Sequence, residues 1–136
     1  MALSYAEDLR DDQLDQIPAN IGASGLIRIY DDSAARPAGP DTAVPGGSVL
    51  LAELPLSPTS APAASGGVLT FNAITDEDSA PAAGDALWFR VVTSGGTGII
   101  DGDVGTAASD LNLNSVSITI GGTVSITSFE ITAGNA

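Results

Sequence analysis

The spacing of hydrophobic positions changes once along the chain, near Gly25. Before it, "LSYAEDLRDDQLDQIP" places its apolar residues at helical intervals, in two narrow strips. Tyr5 and Leu9 fall on one side; Leu14, Ile17 and Ile21 fall on another. Ser4 and Glu7 have the S-x-x-E spacing of a capping box, and Glu7 and Asp8 suit the positive end of a helix. Pro18 lacks an N–H, which predicts a stop or kink near Ile17. Two strips suit a helix that touches both its own domain and a neighbour, with packing on the end of the β domain the favoured arrangement.

After Gly25 the period becomes two. "GLIRIYDD" alternates Leu26, Arg28 and Tyr30 against Ile27 and Ile29, and "ALWFRVV" alternates Leu87, Phe89 and Val91 against Trp88, Arg90 and Val92. "SVLLAELPLS" puts Leu50, Ala52, Leu54 and Leu56 on one face, with Pro55 favouring a sheet edge. "GVLTFNAIT", "TGIIDGDV", "SVSITI" and "TVSITSFEIT" complete seven or eight strands, and "GGTG" at Gly95–Gly98 reads as a hairpin turn. The expected fold is mainly β: a helical segment or arm over residues 1–24, then an antiparallel, jelly-roll-like β-sandwich over residues 25–136.

The last two strands allow a finer expectation. A three-residue loop, Gly121–Thr123, would set Ile120 opposite Val124 and Ile118 opposite Ile126, giving one apolar face and a left-handed or bulged glycine. Phe129 and Ile131 are then out of phase, which predicts a β-bulge near Thr127–Ser128 or a strand crossing between sheets. "DDSAARPAGPDTAVPGGS" and "SPTSAPAASGG" read as surface loops, or as arms ordered against a partner.

Two features look like chemistry. Asp101, Asp103 and Asp110 surround two glycines, but a helix-loop-helix calcium loop starting at Asp101 would need an oxygen ligand where Gly105 stands and glycine where Thr106 stands. The stretch reads as a loop, and the acidic "TDED" at Thr75–Asp78 as a solvated tip. Trp88 and Arg90 share one strand face, either a sandwich face covered by a loop or a patch that anchors a partner.

Composition narrows the chemistry. The 136 residues include 17 acidic side chains against four arginines, a net charge of -13, with no Lys, His or Cys. Histidine- or cysteine-based catalytic groups and thiolate or imidazole metal sites cannot be assembled, and a phosphate loop lacks its lysine. Carboxylates alone would have to carry any catalysis, so an enzyme is not expected. The charge opposes contact with nucleic acid or an anionic membrane, and no 18-residue apolar run is present. The expectation is a protein without cofactor, metal or catalytic residue. Its candidate partner interface is Tyr5, Leu9, Leu14 and Ile17 on the helix, with Trp88 and Arg90 on the strand.

In order along the chain, "GLIRIYDD", "LLAELPLS", "GGVLTFNAIT", "ALWFRVV", "GDVGTAASDLNLN" and "GGTVSITSFEITA" resemble the strand-and-turn phrases of small virion proteins of tailed bacteriophages. The resemblance covers most of the chain from Leu9 onward and is to the capsid cement or decoration type. It implies a structural role on the outer head surface, stabilising contacts between major capsid proteins. The implied partners are the major capsid protein and further copies of the chain, as a dimer or trimer at a symmetry axis. Synthesis in the host cytoplasm would precede attachment to the virion. A tail, neck or fibre-associated module, or a surface carbohydrate- or calcium-binding module using the aspartates and Trp88, are the alternatives.

Overall fold

The change of period at Gly25 is where helix gives way to strand. A computed structural model describes residues 3–133. Helix α1 spans Glu7–Ile21; the strands are β1 (Leu26–Asp31), β2 (Leu50–Pro55), β3 (Val68–Thr70), β4 (Gly84–Val92), β5 (Gly98–Gly105), β6 (Leu111–Leu113), β7 (Ser117–Ile118) and β8 (Ile126–Thr132). The described residues are mainly β with one short N-terminal helix.

The helix departs from expectation at both ends. Its N-cap is Ala6, with no side-chain cap bond, so Ser4 does not form the capping box; the acidic first turn, Glu7 and Asp8, remains. The helix also runs through Pro18. That residue gives up one donor, but packing holds the last turn: Ile21 is buried, and the Gly22 N–H closes onto Pro18 O at 3.1 Å. Of the two strips, Leu14, Ile17 and Ile21 face the strands, with Leu14 beside Ala61 and Leu69 and Ile21 in the main core. Leu9 stays 45% exposed and Tyr5 40%. Helix and strands thus share one interior across the residue-24 boundary.

The strands follow one hydrogen-bonded path, β2-β1-β4-β5-β6-β8-β3, with β7 on β4. Where alternation predicts wholly antiparallel pairing, β5 and β6 pair in parallel, Val104 with Leu111 and Gly105 with Asn112. A short loop, 106–110, turns the chain through a full loop here, with Ala108 at φ 54 and the Asn112 side chain bonded to the Ser109 N–H and C=O. The sheet is strongly curled. Phe89 on β4 and Phe129 on β8 are three strand spacings apart along the path, about 14 Å if flat, yet their rings meet edge to face at 5.4 Å. Phe71 also stacks on Phe129, at 4.1 Å. The inside of the curl is filled by Ile27, Ile29, Leu54, Val91, Leu111 and Leu113.

Pro55 lies on an edge strand, as its missing donor requires. A register shift opposite Ile29 and Tyr30 turns Leu51 into the core beside Ala52, which strict alternation does not foresee. The expected bulge in β8 is present: Ser128 pairs with Asn112 and Ile126 with Leu113, so Thr127 is the extra residue. The expected hairpin is not. The segment around Glu77–Ala80 takes its hydrogen bonds, exchanging bonds with Val124 through Glu77 and with Gly121 and Gly122 through Ala80, while Ile118 pairs with Gly84. Gly121, at φ 78, does hold the left-handed turn position.

Candidate functional site

The outer face of β2, β1, β4 and β5 carries a row of charges across these four strands. Register sets Glu53, Arg28, Arg90 and Asp101 side by side. The two arginines are direct neighbours, and each has an acid on its far side: Arg28 Nε lies 2.8 Å from Glu53, and Arg90 holds Asp101 with two bonds, 2.7 and 2.9 Å. The next row stacks Tyr30 on Trp88, ring centroids 4.5 Å apart, with the Arg90 guanidinium 5.5 Å from the Trp88 ring. The bond to Asp101 raises the Arg90 pKa against a smaller opposing effect of burial. Burial raises that of Tyr30, the nearby arginines partly offsetting it.

The 32–49 loop lies over this face. Gly39 O accepts from Arg90 at 3.1 Å, and Arg36 reaches Asp103 at 3.2 Å. Gly98 faces Pro40 O so closely that a Cβ there would collide with it. Trp88 and Arg90 are therefore covered by the molecule's own loop and are not a free anchor patch. Trp88 Nε1 meets no acceptor, so the indole serves by its stacking area. The second loop is tied to the helix: Asp15 accepts from the Ala64 N–H and Asp11 from the Gly67 N–H, both at 2.7 Å.

Asp31 anchors the start of the covering loop. Its carboxylate accepts from the Val49 N–H at 2.9 Å and from the Ser33 hydroxyl. Burial pushes its pKa up, but these bonds outweigh burial and hold it below the usual carboxylate value. A depressed folded pKa contributes stability that is fully present above the unfolded value, about 4, and is lost as pH falls from there through the lower folded value. Wild type should therefore lose more stability between pH 7 and pH 3 than Asp31→Asn, which forfeits this contribution at both; urea melts at the two pH values measure the difference.

The three aspartates are engaged elsewhere. Asp101 holds Arg90, Asp103 holds Arg36, and Asp110 accepts from the Asp103 N–H at 2.9 Å. Among the described residues there is no group of three or more His, Cys, Asp or Glu placed to hold a metal ion. In the "TDED" stretch, Asp76 and Asp78 are exposed, while Glu77 is tied to Val124 by backbone bonds.

Among the described residues, two of the surfaces open to a partner adjoin the helix. One is the apolar strip at the start of the helix, where Leu3 is 63% exposed beside Tyr5 and Leu9. The other is a groove of about 320 Å3 between α1, the covering loop and β5. Gln16, Ile17 and Asn20 form one wall, Pro40 and Asp41 the other, with Ile99 and Ile100 between them. Leu9, Gln16 and Asn20 are spaced to share one helix face. Of the six sequence-predicted interface residues, then, Tyr5 and Leu9 are outward, Ile17 borders the groove, and Leu14, Trp88 and Arg90 are interior. The Asp41 wall was hidden from pattern reasoning because it sits in a Pro-rich loop without periodicity.

No family model, curated protein or solved structure matches the chain. Among the described residues no helix is long and apolar enough to cross a membrane.

Proposed function

We propose that the protein is a structural component of a tailed-phage particle, a cement or decoration protein that binds the outer head surface and stabilises contacts between major capsid proteins. The observation that carries this reading is the outward Leu3–Leu9 strip on a body whose Tyr30, Trp88, Phe89 and Phe129 rings are buried and three of whose four arginines are held in its own ion pairs. The phrase-level resemblance to small phage virion proteins supports it. So does a charge of -13, which keeps unassembled copies apart and turns them from DNA. Weak contacts suffice for such a role, because a lattice of identical sites multiplies them.

Truncation at residue 18 would remove Leu14 from the core, so attachment is tested with the helix-compatible double variant Leu3→Gln/Leu9→Gln. A leucine fully covered by a partner contributes about 1.5–3 kcal/mol, so this variant should bind particles at least about tenfold more weakly. Its melting temperature should stay near wild type, since both positions are on the surface. Mass spectrometry of purified particles, with heads and tails separated, reads copy number and location. Retention of the variant at wild-type occupancy would move the anchor elsewhere; absence of the protein from particles would end the proposal.

A further inference from the structure

The groove beside the helix has a composition that selects its occupant. Its lining carries one carboxylate, Asp41, and no cationic side chain. Arg90, close enough for Asp41 to act on its charge, already donates to both Asp101 oxygens and to Gly39 O. Asn20 donates its amide to Gln16 O at 2.6 Å, which leaves its side-chain oxygen to accept from a ligand. Ile17, Ile99 and Ile100 supply an apolar surface between these acceptors. An acidic mouth, amide oxygens and an apolar floor match a long aliphatic stem that ends in a cation.

We infer that this groove takes a basic side chain, arginine or lysine, of a protein partner: the charge sits against Asp41 and the stem lies on Ile17, Ile99 and Ile100. Charge complementarity favours this occupant over a second copy of the chain. A second copy brings 17 acids and four arginines, and three of those arginines, Arg28, Arg36 and Arg90, are already in ion pairs. The inference names the partner chemistry for the adhesive role proposed above and rests on that role for the partner being a protein. A peptide titration in solution does not depend on particles, so the two ideas fail separately.

The experiment titrates the 15N-labelled full chain with an acetylated, amidated peptide, Leu-Gly-Arg-Gly-Leu, at about 0.15 M salt, where long-range attraction is largely screened. Shifts should concentrate on the Gln16 and Asn20 side-chain amides and the Gly98 and Ile99 backbone amides. Replacing the arginine by citrulline, which keeps the shape and loses the charge, should weaken binding about tenfold. Asp41→Asn should do the same, and Gln16→Arg, which supplies the groove with its own guanidinium, should abolish binding. Asp78→Asn, an exposed acid outside the groove, should leave affinity unchanged, and undisturbed spectra elsewhere certify the fold of each variant. Equal binding of the citrulline peptide, shifts spread over the acidic surface, or an Asp78→Asn loss equal to that of Asp41→Asn would overturn the inference. Concentration-dependent shifts at the groove without peptide would assign it to a second copy and also overturn it.

Discussion

Asp101→Asn should destabilise the protein by about 3–5 kcal/mol, lowering its melting temperature by roughly 10–20 °C. The Arg90 and Asp101 side chains are only 7% and 4% exposed. Removing the carboxylate charge leaves a guanidinium buried beside Arg28 without its counter-ion, and that uncompensated charge is the source of the cost. The double variant Arg90→Met/Asp101→Leu separates this cause from lost packing, because removing both charges of a buried pair is often close to neutral. Here recovery should stop about 1–2 kcal/mol short of wild type, since Arg90 also bonds Gly39 O and lies near the Trp88 ring. Calorimetric melts of the two variants decide it. A double variant as unstable as Asp101→Asn would mean that the pair matters for its shape and not for its charge balance.

Phe129→Ala should cost a similar amount, about 3–5 kcal/mol, as large aromatic deletions in tight cores do. Phe129 is buried against Phe71, whose N–H bonds the Phe129 C=O just past β3, and against Phe89 on β4, three strands away along the path. Its removal empties the place where the curled sheet closes on itself. A double-mutant cycle of Phe89→Leu and Phe129→Leu tests the closure: edge-to-face rings couple by about 0.5–1.5 kcal/mol, whereas residues far apart add to within about 0.3–0.5 kcal/mol. Strict additivity would contradict the curl.

Local features of the fold were legible because they depend on short-range chemistry. Pro55 at an edge, the Gly121 turn and the Thr127 bulge each follow from what one or two residues can do. The helix was legible in its strips but not in its ends, since Ala6 replaces a side-chain cap and Ile21 packing carries the chain past Pro18. The closing hairpin was misread because its preferred register competes with a segment some 40 residues earlier, and no local pattern announces such a competitor. The same holds for the candidate surfaces. Leu9 was visible as an apolar residue off the packed strip, whereas the cover over Trp88 and the Asp41 wall arise when an aperiodic loop settles on the sheet. A strand whose two faces are both apolar or aromatic does ask for a cover, and "LWFRVV" contained that request.

The parallel contact between β5 and β6 is only two residue pairs long, and it joins the β2-β1-β4-β5 half of the sheet to the β6-β8-β3 half. Helix α1 packs against β3 in one half and β5 in the other, and so bridges this narrow joint. A load applied to the outer face of the helix is thereby delivered to the joint between the halves, which is where backbone amides should exchange with solvent earliest if the molecule is pulled.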